Sequence, residues 1–171
     1  MHVGFKITNL VVGVDMCCIM PGSHVNTVVN VFFTVEKWRN LNGNNLLQLM
    51  YTSKRHSYTF QSYVQLTMAQ LHAANVPTPI KMIERSLWSS RHVFGKNLEQ
   101  TKKMAQSEFE VLNAWFEFLK SCPDVDLGVD IVVYLRTSPD VAYKRLKARA
   151  RSEEKVVSID YLKDLHEVCM R

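Results

Sequence analysis

Apolar residues recur at Phe60, Val64, Met68 and Leu71, the i, i+4, i+8, i+11 spacing of one helical face. That spacing predicts a helix over 57–75, stopped by Val76-Pro77-Thr78-Pro79, where each proline turns the preceding residue away from helical geometry. A shorter helix is expected over 44–51. A third, over 101–120, would bury a stripe of Met104, Leu112, Trp115, Phe116 and Leu119. Two segments read as strands. "IKMIE" (80–84) is short and buried, and "GVDIVVYLR" (128–136) is a continuous apolar run of the kind found in a central parallel strand covered on both faces. Ser138-Pro139-Asp140 then supplies an N-cap, a proline at the first helical position and an acid in the first turn, opening a helix over 139–151. A last helix is expected over 158–169. Before Phe33 the chain is β-branched and almost free of charge. Helices alternating with buried strands predict an α/β fold, a parallel sheet flanked by helices. Ligands of such sheets sit beyond the carboxyl ends of the strands, which selects Glu84-Arg85-Ser86 and Arg136.

Composition narrows the partners. With 171 residues, 47% hydrophobic and 22% charged, the chain has the balance of one globular domain with a real core. A net charge of +5 suits an anionic ligand. Basic residues are scattered outside 145–151 and no aromatic stripe accompanies that run, so no nucleic-acid partner is expected. Cys17, Cys18, Cys122 and Cys169 form neither a metal spacing nor a disulfide framework, which fits a reducing intracellular compartment. No His-x-x-x-His pair occurs, and no structural zinc is expected. The apolar stretch 9–20 is broken by Asp15 and too short to span a bilayer, and the first 30 residues hold no arginine. Neither a membrane partner nor a targeting segment is expected.

Candidate chemistry gathers in three places. "RLKARARSEE" (145–154) carries a cation at every second residue from Arg145 to Arg151. At about 3.6 residues per turn, Arg145 and Arg149 share one helical face, and Lys147 and Arg151 another. The run is therefore either a solvated face whose stems pack, or a clamp that meets phosphate oxygens from two sides. Glu84-Arg85 sets a carboxylate beside a guanidinium, as a structural ion pair or as holders of a metal-bound water and a phosphoryl oxygen. Gln61 places an amide on the face of Val64 and Met68; buried, it must be paired, within the core or against the edge of a planar base. Trp38, Phe60 and Phe94 offer stacking surface or plain core.

Five segments carry a resemblance: "VEKWRNLNGNNLLQLMY", "FQSYVQLTM", "IERSLWSSRHVF", "VVYLRTSPDVAYKRLKARARSEE" and "YLKDLHE". In order and spacing, from about Val35 to Glu167, they are similar to the deoxyribonucleoside kinases, which pass the γ-phosphoryl of a nucleoside triphosphate to the 5′-hydroxyl of a deoxynucleoside. The resemblance implies a P-loop-kinase-like sheet, ATP and Mg²⁺ as cofactors, a homodimer, and residence in the cytoplasm or mitochondrion. It implies that Gln61 pairs with the base and that Trp38, Phe60 and Phe94 pack around it, with Ser90 on the same substrate side. Tyr51 and Glu154 would hold the sugar 3′-hydroxyl, Glu84 would help place Mg²⁺, and Arg85 would steady the 5′ end. Arg145, Arg149 and Arg151 correspond to arginines of the lid that closes on the phosphates, with Lys147 where arginine is common. Val64 and Met68 resemble the pyrimidine-favouring members.

The sequence also departs from that pattern. The family's phosphate loop, G-x-x-x-x-G-K-S/T, is absent from the 171 residues, and Gly95-Lys96, inside a matched segment, is not such a loop. Where the family places Glu-Pro before V-x-K-W, the glutamate being the general base, this chain has Phe33 and Thr34. Glu36 lies about 10 Å away along an extended chain, outside hydrogen-bond reach. The chain is also expected to stop before the family's closing strand, so the fold would be incomplete at both ends. The expected organisation is a divergent segment, 1–33, followed by a partial kinase-like domain, 34–171. An alternative first exon or an incomplete gene model would account for the abrupt change at Phe33. Two functions follow: a kinase by descent with impaired catalysis, or a non-catalytic form that binds nucleoside or modulates a full-length partner.

Overall fold

A computed structural model describes residues 9–14, 29–32, 34–77 and 80–170. Phe33, Cys17, Cys18 and Asp15, on which several sequence expectations rest, lie outside the described residues. The architecture is a helix-rich α/β arrangement. Strand β1 (Asn9–Val14) pairs in parallel with β3 (Ile80–Glu84) on one side and with β4 (Ile131–Leu135) on the other. Strand β2 (Val29–Phe32) pairs in parallel with β3, so the order is β2-β3-β1-β4.

Around these strands lie α1 (Val35–Arg39), α2 (Leu46–Thr52) and α3 (Ser57–Ala73), then, after β3, α4 (Leu87–Ser89) and α5 (Lys96–Gln100) joined by a π-helical turn over Ser90–Gly95. Next come α6 (Gln106–Ser121), α7 (Pro139–Arg149), a 3₁₀ turn over Ser152–Glu154, and α8 (Ile159–Cys169). Caps explain several starts. The Asn45 side chain accepts from the Gln48 N–H, Ser138 from Val141, and Ser158 from Tyr161. Ser86 and Ser89 cap each other reciprocally at the head of α4. No helix among the described residues is long and apolar enough to cross a membrane.

Two expectations about packing are corrected. Among the described residues, the 128–136 run is not covered on both faces: β4 stands at the edge of the sheet they form, and Val132 is 64% exposed. Its apolar composition reads the same on an edge as at the centre, because position in the sheet is set by partners far away in sequence. The stripe expected over 101–120 is also rearranged. Residues 101–105 form a turn with Lys102 at φ 55°, and Lys103 and Met104 both donate to the Leu98 carbonyl, so α6 begins only at Gln106. Leu112 and Phe116 are buried as expected and Met104 is buried from outside the helix, but Trp115 points outward, 54% exposed.

The core has two parts. The larger gathers Trp38, Phe60, Met68, Ile83, Leu98 and Phe116 from the elements between α1 and α6. A smaller one joins α7 to α8 through Ala142, Leu146, Leu162 and Leu165, and Tyr51, Val93 and Phe94 pack against it. Tyr51 also packs against the larger part, so it sits at the seam between the two.

Candidate functional site

A cleft opens along that seam. Its floor is α3, which presents Phe60, Gln61, Val64 and Met68 at successive turns, all buried. Trp38 closes one side. Its indole N–H donates to Thr67 Oγ1 at 2.9 Å, and its ring meets Phe60 edge-on, centroids 5.7 Å apart. The Gln61 side-chain carbonyl accepts the Ser90 hydroxyl at 3.4 Å, a long contact.

Arg85 enters from the carboxyl end of β3 with φ 64°, a left-handed conformation uncommon for any residue other than glycine. Its guanidinium lies 5.6 Å from the Trp38 ring centre and 5.1 Å from that of Phe94. Its Nε is buried and has no hydrogen-bond partner among the described residues. A charged donor held in that state is set to meet an acceptor.

The basic run reaches the cleft at its far end. Ala150, at φ 54°, ends α7 in a left-handed cap and reverses the chain, so Arg151 lies outside the helix expected to include it. Arg149 and Arg151 then converge on Glu154: Arg149 Nη2 is 2.7 Å from both carboxylate oxygens, and Arg151 Nη1 is 3.6 Å from Oε1. Lys147 donates to the Lys155 carbonyl at 3.3 Å. Tyr51 meets Tyr161 edge-on at 6.1 Å. Burial raises the Tyr51 phenol far above its ordinary value, Tyr161 and Glu154 adding to the rise and Arg85 and Arg149 opposing it. Burial pushes the Tyr161 phenol up to about 12, against the Arg85 charge. Both are neutral hydrogen-bond donors at physiological pH.

Of the residues singled out in sequence, Trp38, Tyr51, Phe60, Gln61, Val64, Met68, Arg85, Ser90, Phe94, Arg149, Arg151 and Glu154 line this cleft. Glu84 and Arg145 are not in its wall. The Glu84 carboxylate stands 3.9 Å from Arg85 Nη2, and Arg145 lies a turn back along α7, about 6 Å from Arg149 in rise. Ser86, selected in sequence by its place at the carboxyl end of β3, also lines the cleft. Sequence reasoning missed Tyr161 and Ser89. The first was marked by the apolar stripe it shares with Leu162 and Leu165; Ser89 had no such signal. Gly95, rejected in sequence as a phosphate loop, is a packing glycine. A Cβ there would come within 3.2 Å of the Ser90 carbonyl, and Lys96 pairs with Glu99 at 2.7 Å.

The family model described as deoxynucleoside kinase matches residues 23–169. Human "Thymidine kinase 2, mitochondrial" is 43% identical over 133 residues, 77% of this chain and 49% of that protein. "Deoxycytidine kinase 1" of Xenopus laevis is 37% identical over 132 residues, 72% of this chain and 50% of its own. Mouse "Deoxycytidine kinase" is 34% identical over 150 residues, 80% of this chain and 58% of its own. The chain thus spans about half the length of the curated relatives it matches.

Proposed function

The chain belongs to the deoxynucleoside kinase family, and from that premise we propose that the cleft binds a deoxynucleoside, a pyrimidine by preference, the acceptor of a γ-phosphoryl group at its 5′-hydroxyl. The Gln61 amide carries this reading. It is 3% exposed in a wall otherwise made by Trp38, Phe60, Val64 and Met68. A buried amide in an apolar wall is costly unless well paired, and a base edge offers it a donor and an acceptor together. Trp38, Phe60 and Phe94 then pack around the base, Ser90 supports Gln61, and Val64 and Met68 leave room for the smaller base. Tyr51 donates to the sugar 3′-hydroxyl, Glu154 accepts from it, and Arg85 steadies the 5′ end through its buried Nε. The sheet is that of a P-loop-type kinase, and 34–171 is the kinase-like unit, following the divergent segment 1–33. Cytoplasm or mitochondrion is the compartment this reading implies, with no nucleic-acid or membrane partner. Leu66, Val111, Trp115 and Phe118, exposed on α3 and α6, supply the surface for a homodimer.

The donor side fits only in part. A single carboxylate, Glu84, suits a Mg²⁺ ion held chiefly by phosphate oxygens and water. Bound there, the ion would neutralise charge on the transferring phosphoryl group. Arg145, Arg149 and Arg151 belong to the lid, and closing on phosphate would share or exchange the Glu154 contacts that Arg149 and Arg151 now make. The motif G-x-x-x-x-G-K-S/T does not occur in the 171 residues, which weakens the hold on ATP. Phe33-Thr34 in place of Glu-Pro favours a second reading: a non-catalytic form that binds nucleoside or pairs with, and modulates, a full-length kinase.

Titration of the purified chain with thymidine, deoxycytidine and deoxyadenosine, followed by Trp38 fluorescence and calorimetry, tests the acceptor site. Saturable binding with the pyrimidines tighter is expected. No saturable binding at millimolar concentration overturns the reading.

A further inference from the structure

Glu153 precedes the Glu154 carboxylate that faces the cleft, yet it turns the other way and is buried completely, its side chain 0% exposed. Its Oε1 lies 2.8 Å from Nε of Arg39, the residue that follows Trp38. The geometry is that of an ion pair and not of a directed hydrogen bond, and Oε1 has no hydrogen-bond partner among the described residues. The other oxygen accepts the Ser152 hydroxyl at 3.0 Å. Burial raises this carboxyl, but its own backbone N–H, Ser152 and the charges of Arg39 and Arg151 outweigh that and hold it below the usual range. A buried carboxylate with one close cation is strongly tied to it, because parting them leaves an uncompensated charge in the interior.

The two elements joined in this way are too short to hold themselves. Helix α1 has five residues and the 152–154 turn three, well under the roughly 12–15 that an isolated helix needs. Trp38 carries the base wall at one end of the pair, and Glu154 carries the sugar-side carboxylate at the other. The remaining partner of Arg39, Glu36 at 3.2 Å, is 81% exposed and competes weakly.

We propose that the Arg39–Glu153 pair is a positioning device for the acceptor site: it fixes Glu154, with its Arg149 and Arg151 partners, at the distance from Trp38 that lets one nucleoside touch base wall and carboxylate together. The proposal rests on the acceptor-site reading above. Its signature is selective. A nucleoside should lose the contact of its 3′-hydroxyl, and little else, when the pair is broken.

The test compares affinities for thymidine and 3′-deoxythymidine, which lacks that hydroxyl, in the full chain and in Arg39→Gln, Glu153→Gln and Glu154→Gln, each with a thermal melt. The unaltered chain should prefer thymidine by about tenfold or more. In all three variants the ratio should fall to within about twofold of one, while affinity for 3′-deoxythymidine stays within about threefold of the parent. The exchanged pair, Arg39→Glu with Glu153→Arg, should recover part of the ratio. A ratio kept in Arg39→Gln and Glu153→Gln but lost in Glu154→Gln overturns the positioning role and leaves the acceptor site standing. A parent that does not prefer thymidine, or a ratio unmoved by Glu154→Gln, overturns the sugar assignment and the proposal with it. Equal loss of both affinities, or failure of both single variants of the pair to fold, assigns the pair to stability alone.

Discussion

Gln61 and Gln65 lie one turn apart on α3 and both are buried. Gln65 donates from Nε2 to the Leu112 carbonyl at 3.0 Å and so links α3 to α6. Gln61 meets, among the described residues, only the Ser90 hydroxyl at 3.4 Å, on the cleft side. The first is an internal brace; the second is open to a ligand. Replacing Gln61 with Met keeps the volume and completes the apolar wall, so the melting temperature should hold or rise. A bound pyrimidine would then lose its partner at a buried polar edge, at a cost of roughly 1–3 kcal/mol, or about 5- to 150-fold in affinity. Calorimetric titration with thymidine reads the change, and an unaltered affinity would remove the base from Gln61. At this scale the sequence was informative where a polar residue interrupts an apolar stripe. It was silent on Arg39 and Glu153, since nothing local marks two charges that meet from distant parts of the chain.

The elements around His72 make a small buried polar joint. His72, on α3 and 4% exposed, has Nδ1 3.0 Å from the Asp126 carbonyl, so Nδ1 carries the proton and donates. Nε2 then faces the Leu87 N–H at 3.5 Å. Lys81 on β3 donates 2.8 Å hydrogen bonds to the carbonyls of His72 and Ala74, closing the end of α3. Burial lowers the His72 pKa from 6.5 and Lys81 lowers it further, against the Asp126 carbonyl contact. The folded value therefore lies below the unfolded one, and stability is full above about pH 6.5 and falls as pH drops, by up to about 1.4 kcal/mol per unit until the folded value is passed. His72→Gln keeps a donor and an acceptor without titrating. Denaturant melts at pH 7 and pH 5 should show a smaller acid loss in the variant, and equal losses would place the proton elsewhere. Helices α3, α7 and α8 and strand β3 were legible because periodicity and caps are local signals. The edge position of β4 and the π-helical turn over Ser90–Gly95 were not: "SSRH" has no apolar period, and a run such as "IVVYL" records composition, not coverage.

For the whole molecule, the contrast lies between the proposed acceptor site, whose residues converge on one cleft, and the phosphate-loop motif, which the 171-residue sequence does not contain. Phosphoryl transfer is catalysed almost entirely by positioning and electrostatic stabilisation, so oriented donors at the phosphates and a base at the acceptor hydroxyl supply most of the rate. The family's base position is held by Phe33, and Glu36, 81% exposed in its side chain, is turned to solvent and paired with Arg39. A positioned general base contributes roughly 10²–10⁴-fold. Oriented donors contribute on the order of 10²–10³ more by analogy with oxyanion sites, without strict additivity. Arg149 and Arg151 do not replace a phosphate loop, because both would have to share or exchange their Glu154 contacts and both approach from one end of the cleft. The 171-residue polypeptide should therefore bind thymidine yet turn over ATP at least about 10²-fold more slowly than a variant carrying a Gly-rich loop and Glu-Pro ahead of Val35. Thymidine-dependent ADP release from the two proteins, measured side by side at saturating Mg²⁺ and ATP, decides the matter. Comparable turnover would mean that the 171 residues supply a base and a phosphate cradle of their own.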